Sequence, residues 1–271
     1  MDSGQIARFI GKNNLLRKLA YHIISLTTLR EWYIRAALAK IIPRNGCEFT
    51  LLDAGSGMGQ HAWFVANRYP MARVTAVELD EKQVEDCRWF AEKEGLNNLQ
   101  FHQADLSTFS TNAKYDSLMC CSVLEHIKED DSVLASYYDM LKSDGKMLIY
   151  VPTGEKRVLA FLGRKIHNQL KKSGVKLPHQ HVRYYSKDEL VARLNDNGFS
   201  VDRQIITYGH YGRLAYDVVT AVQYHFLFKF LFPFYLLMVH PFILLLMWAD
   251  YRQNNKQGNG LLVIASKNGK A

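Results

Sequence analysis

Cysteine is scarce in this sequence, and its few cysteines are not spaced as metal ligands. Cys47, Cys87, Cys120 and Cys121 form no C-x-x-C motif, and no histidine accompanies them at zinc-site spacing. We therefore expect free thiols and no metal site. Free thiols are typical of a protein that folds in the reducing cytoplasm.

The sequence also lacks the marks of a secreted, a polytopic membrane or a disordered protein. An acid stands at Asp2 and no continuous apolar core follows it, so we expect no secretory signal. A mean hydropathy of −0.17 excludes a chain made of membrane-spanning helices, although it can hide one apolar segment. A hydrophobic content of 48% excludes disorder, and 271 residues suffice for one large domain with attachments.

Charge is divided unevenly along the chain. The formal net charge is +8, yet residues 49–153 hold 16 acidic residues against 9 basic ones. The segments 1–48, 154–176 and 177–271 each carry a basic excess. An acidic middle between basic flanks argues against a uniformly basic nucleic-acid-binding protein, and it suits a catalytic body with basic surfaces added.

Short apolar segments alternate with helical patterns from residue 49 onward. This alternation predicts an α/β fold, a Rossmann-like and mostly parallel sheet with helices on both faces. A further helical pattern precedes residue 42. The predicted strands cover residues 49–52, 73–77, 99–102, 117–121, 146–151, 199–206 and 260–265.

The first predicted strand ends at an acid and a glycine-rich loop. Asp53 precedes Gly55, Gly57 and Gly59, and the missing Cβ atoms of such a loop let a ligand approach the backbone. The G-x-G-x-G spacing differs from the G-x-G-x-x-G of dinucleotide-binding folds. Binding of a nicotinamide or flavin dinucleotide is therefore disfavoured.

Two further acids stand at the ends of the second and third strands. Glu78 can accept hydrogen bonds from both hydroxyls of a ribose, and Asp105 stands where it can read an adenine edge. The alternative for both acids is a plain helix N-cap.

Five sequence blocks, taken in their order along the chain, resemble those of the class I S-adenosylmethionine-dependent methyltransferases, especially the subgroup that methylates small molecules and lipids. The resemblance covers roughly residues 49–206 and the last strand. It implies a seven-stranded sheet whose last strand runs antiparallel between the fifth and the sixth. The blocks that carry it are Leu51–Gly59, Val77–Asp80, Gln103–Leu106, Tyr115–Ile127 and Leu141–Ile149.

The resemblance implies S-adenosyl-L-methionine as the cofactor and assigns roles to the acids and glycines. By carry-over, Asp53 lies near the amino-acid end of the cofactor, Glu78 holds its ribose and Asp105 faces its adenine. The loop packs against the cofactor through Gly55, Gly57 and Gly59.

Candidate catalytic residues follow the fourth strand and precede a later helix. Methyl transfer from a sulfonium is an in-line displacement, so a base is needed only where the acceptor holds its proton tightly. His126 is our candidate base, and the alternative is that it only orders its loop. His181 and Tyr184 lie in a segment that resembles the His-x-Arg-x-Tyr-Ser stretch of the subgroup. They are candidate acceptor-pocket residues, with fold support as the alternative for His181, and Ser186 is predicted to cap the next helix.

Two nucleobase-modifying classes find no support. Enzymes directed at amino groups of bases carry an Asn/Asp-Pro-Pro-aromatic motif where this chain reads Cys120-Cys121-Ser122-Val123. Cytosine-C5 enzymes need a cysteine next to a proline, which is missing there. We expect no nucleic-acid partner and expect both cysteines to pack in the fourth strand.

The pattern predicts four parts. A helical cap covers residues 1–48, and the methyltransferase domain covers 49–208 with a basic insertion or lid at 155–185. An apolar insertion covers 209–259, and the last strand of the domain lies in 260–271. Residues 155–176 predict a basic amphipathic helix, either a lid, a membrane-surface helix or a core-facing helix.

The apolar insertion contains a stretch from Phe230 to Ala249 without a formal charge. Twenty helical residues reach about 30 Å, the thickness of a bilayer core. Both flanking strands belong to one sheet, and Pro233 and Pro241 interrupt a helix. We therefore expect residues 226–249 to form a helical hairpin that dips into the membrane and returns. A dimer interface and a lid over an apolar substrate are the alternatives.

Together these features predict a methyltransferase at the cytoplasmic side of a membrane. The expected acceptor is a lipid-like or hydrophobic small molecule, methylated on oxygen if His126 is the base. One alternative is a methyltransferase, cytoplasmic or anchored, for a soluble metabolite or sugar intermediate. The other is an inactive cofactor-binding scaffold in a membrane assembly. The sequence sets no oligomeric state.

Overall fold

One seven-stranded sheet forms the centre of the molecule. The structure is a computed structural model that describes residues 13–43, 46–154, 158, 182–223 and 235–267. The strands lie in the order β3-β2-β1-β4-β5-β7-β6. They are β1 Phe49–Ala54, β2 Ala72–Glu78, β3 Leu99–Gln103, β4 Tyr115–Cys121, β5 Leu141–Pro152, β6 Phe199–Thr207 and β7 Gly260–Lys267.

The strand directions confirm the predicted fold. The neighbours among β1 to β5 pair in parallel, whereas β7 pairs antiparallel with both β5 and β6. The chain runs outward from β1 to β3 and then returns to place β4 on the other side of β1. This reversal opens a crevice at the carboxyl ends of β1 and β4, where ligands bind in open α/β sheets.

Helices cover both faces of the sheet. In β1, Leu51 belongs to one core layer and Leu52 to the other, because successive side chains of a strand point to opposite faces. Both leucines are fully buried. The helices are α1 Asn14–Thr27, α2 Leu29–Ile41, α3 Gln60–Arg68, α4 Glu81–Lys93, α5 Asp130–Met140, α6 Lys187–Asp196, α7 His210–Gln223 and α8 His240–Arg252, with a 3-10 turn at Leu124–His126 and a π-helical turn at Tyr235–Val239.

The fifth strand is longer than the apolar pattern predicts. It begins at Leu141, which pairs with Tyr115, whereas the pattern places its start at Lys146. A register shift follows this pair, and Asp144 adopts a φ of +64° in the stretch. Because the residues at this irregularity are polar, the hydrophobic pattern alone does not predict the pairing of Leu141 with Tyr115.

The N-terminal helix α1 is fastened to the glycine loop. Arg17 is only 4% exposed, and its Nη2 donates to the carbonyl oxygen of Met58 at 3.0 Å. Its Nη1 donates to the carbonyl oxygen of Asp86 at 2.7 Å, and the Tyr21 hydroxyl also donates to Met58 O. The helix therefore braces the loop and α4 from outside, through polar contacts that are themselves buried.

The apolar insertion contains two helices that pack together, α7 and α8. The Gly212 amide donates to Asp250 Oδ1 at 2.8 Å, and a Cβ at Gly212 would crowd the Asp250 carboxylate. Residues 224–234 lie outside the described residues, so the predicted hairpin at 226–249 stays a prediction. Within the described ranges, the helices are too short or too polar for any of them to cross a membrane. The predicted basic helix at 155–176 lies, apart from residue 158, outside the described residues.

We predict that Arg17→Met destabilises the protein by about 2–4 kcal/mol, because it removes the charge-assisted hydrogen bonds from Arg17 to the carbonyl oxygens of Met58 and Asp86. Lys18→Met is the matched control on the same helix. Its surface ion pair with Glu94, at 3.1 Å, should be worth less than about 1 kcal/mol. Urea unfolding measures both variants, and equal losses would contradict the bracing role of Arg17.

Candidate functional site

The glycine loop joins β1 to α3 and has one open position. Gly55, Gly57 and Gly59 all have positive φ angles, at +83°, +53° and +77°. A Cβ at Gly55 would collide with Val123, and one at Gly59 would lie 3.0 Å from Cys87 Sγ. At Gly57 the nearest atom would be 3.9 Å away. Packing within the chain explains Gly55 and Gly59, and Gly57 leaves room for a ligand beside the backbone.

Backbone and side chain of β2 hold this loop in place. The amides of Gly55 and Ser56 both donate to the carbonyl oxygen of Val77 at 2.9 Å. The Gly57 amide donates to Glu78 Oε2 at 2.8 Å, while the Leu79 amide donates to Glu78 Oε1 at 2.9 Å. The structure thus brings Glu78 and Gly57, which the sequence analysis selected separately, into direct contact at one edge of the sheet.

Asp53 is a buried carboxyl group at the root of the loop. Its residue is 1% exposed, and its Oδ2 has no hydrogen-bond partner within the part of the chain that the structure describes. Burial, with the nearby Glu78 carboxylate adding to it, raises the pKa of Asp53 to about 8. The site therefore contains an acceptor atom that is poised for a cationic or hydrogen-donating ligand.

Asp105 lies two residues beyond the end of β3 and forms a local turn. Its Oδ1 accepts from the Ser107 amide at 2.9 Å and from the Ser107 hydroxyl at 2.7 Å. These bonds hold the pKa of Asp105 below its ordinary value. The Ala104 amide donates to the carbonyl oxygen of Glu78 at 3.1 Å, so this turn is joined to the end of β2. The predicted cofactor acids Glu78 and Asp105 therefore lie on adjoining strand ends.

A cavity of about 390 Å³ opens beside the end of β4. Its described lining comes from segments that are far apart in sequence: the start of α2, the turn after β4, the end of β5 and the start of α7. The predicted residue His126 lines it. The described lining also includes Arg30, Ser122, Glu125, Tyr150, Tyr208 and Tyr216.

Glu125 is the group that the sequence analysis passed over. The 3-10 turn Leu124–His126 places its side chain inside, where the residue is 1% exposed. Its Oε2 has no hydrogen-bond partner among the described residues. Burial raises the pKa of Glu125 to about 7, and the Arg30 charge opposes that rise. A carboxyl group that titrates near neutral pH can bind a cation or accept a proton.

The segment after residue 181 supports this turn from the other side. The Val182 amide donates to the carbonyl oxygen of Glu125 at 2.8 Å. The Tyr185 hydroxyl donates to Asp130 Oδ2 at 2.6 Å, and Arg183 Nη1 donates to Asp130 Oδ1 at 2.7 Å. The Ser186 hydroxyl oxygen accepts from the Glu189 amide at 3.1 Å, which confirms the predicted helix cap.

The structure says little about the two predicted acceptor-pocket residues. His181 lies outside the described residues, and Tyr184 is 42% exposed and absent from the described cavity lining.

The two adjacent cysteines pack in β4, as predicted. Cys120 is buried there, and its thiol accepts a 3.6 Å contact from the Tyr137 hydroxyl. Burial raises the pKa of the Cys120 and Cys121 thiols, so neither is an activated nucleophile.

Comparison with known proteins matches this arrangement to one family. Residues 51–145 match a family described as a methyltransferase domain. The (S)-coclaurine N-methyltransferase of Papaver somniferum is 26% identical over 139 residues, which cover 51% of this chain and 39% of that protein. The chain spans less than half the length of the curated relatives it matches.

Solved structures share the fold at low sequence identity. A coclaurine N-methyltransferase bound to N-methylheliamine and SAH superposes with a TM-score of 0.58 at 16% identity, covering 87% of this chain and 72% of that one. The [4+2]-cyclase SpnF superposes with a TM-score of 0.57 at 18% identity, covering 87% and 80%. With the matched domain and the sheet order described above, this chain carries a class I S-adenosylmethionine-dependent methyltransferase domain.

Proposed function

We propose that this protein transfers a methyl group from S-adenosyl-L-methionine to the amine nitrogen of a polar small molecule bound in the 390 Å³ cavity. The buried Glu125 carboxyl, with one oxygen unpartnered among the described residues, is the observation that carries the proposal. A relative named as a coclaurine N-methyltransferase supports nitrogen as the acceptor. A hydroxyl acceptor, with His126 as its base, is the alternative that the sequence favours.

The chain offers a fitting cradle for the cofactor. Gly57 leaves room beside the loop backbone, and Glu78 has oxygens beside that loop to hold a ribose. Asp53 supplies a buried carboxyl group for the ammonium of the amino-acid end, and Asp105 lies on the adjoining strand end for the adenine. When bound, the cofactor supplies an electrophilic methyl group on a positively charged sulfur.

Glu125 prepares the acceptor in this mechanism. Its carboxylate attracts a protonated amine into the cavity and accepts the proton, which frees the nitrogen lone pair for in-line attack. A pKa of about 7 lets the group both bind a cation and release a proton near neutral pH. His126, beside it on the same turn, positions the acceptor.

The acceptor that the cavity favours is polar. Its described walls include a carboxyl, a guanidinium and three phenol groups, which an aliphatic lipid chain would leave without partners. We infer that the parts predicted from the sequence serve this site as a cap at 1–48, a body at 49–208 with its insertion at 155–185, an apolar insertion at 209–259 and a closing strand at 260–271.

The expected membrane association is best supported by two exposed apolar helix faces. Leu15, Leu19 and Ile23 of α1 are 73%, 53% and 50% exposed. Phe242 and Leu245 of α8 are 66% and 61% exposed. Exposed large apolar side chains that lie together on one helix face are typical of an interaction surface.

Trp32 on α2 contacts both α1 and α8, and the sequence around both helices is poor in acidic residues. Trp32 Nε1 donates to the carbonyl oxygen of Leu26 at 3.1 Å, and its ring lies 6.1 Å from that of Tyr251 on α8. The sequence contains no acidic residue between Asp2 and Glu31 or between Asp217 and Asp250. We propose that these faces dock on an anionic lipid surface, where exposed apolar side chains without acidic neighbours are favourable.

Glu78→Gln should weaken binding of the cofactor by about 1–3 kcal/mol, since it removes charge-assisted hydrogen bonds to the ribose. Isothermal titration calorimetry with S-adenosylhomocysteine measures the change. Glu81→Gln, on the exposed first turn of α4, is the matched control and should bind as the native protein does. Unchanged affinity in a folded Glu78→Gln variant contradicts the assignment of the ribose site.

Glu125→Gln should lower kcat/KM about 10²–10⁴-fold while leaving cofactor affinity intact. Glu129→Gln, at the exposed residue immediately before α5, is the control and should retain activity. His126→Ala in the same assay separates the two candidate bases. A Glu125→Gln variant that turns over at the native rate removes Glu125 from the mechanism.

The Glu125→Gln variant should also change stability with pH in a defined direction. The folded-state pKa of Glu125, about 7, lies above its ordinary value of 4.5. The folded protein therefore loses stability as pH rises from about 4.5 through about 7, because the buried carboxyl must then ionise. The amide of the variant does not titrate and has no such loss. The variant's free energy of unfolding relative to the native protein should therefore increase between pH 5 and pH 8, by an amount on the order of 1–3 kcal/mol.

Vesicle co-sedimentation tests the lipid surface. We expect the full chain to sediment with vesicles that contain about 30% phosphatidylglycerol, by about tenfold more than with phosphatidylcholine alone. Leu19→Glu with Leu245→Glu should abolish this binding. Met71→Glu, a 48% exposed position away from both helices, should not. A full chain that stays in the supernatant with both vesicle types contradicts the proposal, and a dimer that Leu19→Glu dissociates would reassign the face to a second copy.

A further inference from the structure

Arg30 lies at the start of α2 and lines the cavity, although it belongs to none of the sequence motifs. Its Nη1 donates to Ser122 Oγ at 3.3 Å, and its backbone amide donates to the Tyr208 hydroxyl at 3.2 Å. The side chain is 35% exposed and lines the cavity. Arg30 therefore joins the turn after β4 to the residue after β6.

The two residues to which Arg30 is hydrogen-bonded have a backbone conformation that is rare outside glycine. Ser122 has a φ of +58° and Tyr208 a φ of +53°. Among the described non-glycine residues only Asp144, in the irregular part of β5, shares this feature. Strained backbone concentrates at functional sites, where the surrounding structure holds a side chain in a required position. Here it holds Ser122 Oγ at the Arg30 guanidinium and the Tyr208 hydroxyl at the Arg30 backbone amide.

The Arg30 guanidinium retains donors for a ligand. Its Nε is buried and lies 3.5 Å from Glu31 Oε1, whereas its Nη2 forms no hydrogen bond or ion pair within the described residues. The Glu31 carboxylate is shared, since Gln60 Nε2 donates to it at 3.1 Å and His61 Nδ1 lies 3.5 Å from it. The Tyr208 oxygen accepts from the Arg30 amide, which leaves its own proton to donate.

The cavity thus has two charges of opposite sign that do not pair with each other. No ion pair or hydrogen bond joins Arg30 to Glu125 in the part of the chain that is described. A guanidinium with a phenol beside it recognises an oxyanion such as a carboxylate or a phosphate. A carboxylate recognises an ammonium. One ligand that carries both groups would satisfy the two sides at once.

We propose that the acceptor is a zwitterionic amine, whose anionic group, a carboxylate or a phosphate, is held by Arg30 and the Tyr208 hydroxyl while its nitrogen faces Glu125. This inference rests on the proposed function and adds the specificity-determining residue. Anion binding at Arg30 would fix the distance of the nitrogen from the cofactor, which a neutral amine would have to achieve without a second anchor.

The test uses the full chain and pairs of amines that differ only in the acidic group. β-Alanine is compared with its amide and phosphoethanolamine with ethanolamine, and each pair is extended to longer and aromatic amines. Release of S-adenosylhomocysteine reports transfer. The native protein should prefer the acidic member of at least one pair by tenfold or more in kcat/KM, and which pair responds distinguishes carboxylate from phosphate.

Variants then assign the preference to Arg30. Arg30→Met should lower kcat/KM for the acidic member 10-fold to 100-fold more than for the neutral member, mainly through KM. Tyr208→Phe should do the same to a smaller extent, and Arg30→Lys should recover part of the loss. Arg68→Met, exposed at the end of α3, is the control and should match the native protein.

The outcomes separate the two proposals. Transfer to neutral amines that equals transfer to acidic ones, with no response to Arg30→Met, overturns this inference and leaves the amine methyltransferase standing. Absence of transfer to every amine, in a protein that methylates hydroxyl acceptors, overturns the proposed function itself. An Arg30→Met variant that loses neutral and acidic acceptors alike, while Arg30→Lys restores both, makes Arg30 a structural residue and also overturns the inference.

Discussion

Two buried carboxyl groups at the carboxyl edge of the sheet are the constraint on which the rest of the site depends. Asp53 and Glu125 are each 1% exposed, and each has one oxygen without a partner among the described residues. Their pKa values rise to about 8 and about 7 because burial removes the hydration that stabilises the charged carboxylates. A buried carboxyl oxygen without a partner is costly to a fold, and a cationic or hydrogen-donating ligand would supply the missing partner.

The topology produces this constraint directly. The chain reverses between β1 and β4, so the ends of both strands meet at one crevice, with Asp53 in one strand and Glu125 in the turn after the other. Gly55 allows Val123 to pack against the loop, which keeps the two strand ends close. A cofactor with a positive sulfur and an acceptor with a positive nitrogen both suit that shared, electronegative space.

The sequence predicted the parts of the site that follow the ends of successive parallel strands. The Leu51–Gly59 block, Glu78 and Asp105 follow strand ends, and parallel strands bring their carboxyl ends to one edge, so their neighbourhood follows from pattern alone. The seven-stranded order with an antiparallel last strand followed from the family resemblance and is confirmed.

The remaining features depend on tertiary packing that no local pattern contains. No local pattern singles out Glu125, because its burial is set by a 3-10 turn and by the segment that follows residue 181. Arg30 stands 92 residues before Ser122, and nothing in its own helix distinguishes it from a solvated arginine. The same holds for Arg17, whose burial follows from the docking of α1 on α4 and the glycine loop.

A crystal structure of the full chain with S-adenosylhomocysteine tests the account most directly, because it locates the sulfur relative to the acceptor cavity. The account predicts that the ribose hydroxyls contact Glu78, that the ammonium lies beside Asp53, and that the sulfur faces the cavity lined by Glu125 and Arg30. A cofactor bound in that loop with its sulfur directed away from Glu125, or one bound elsewhere, would contradict it.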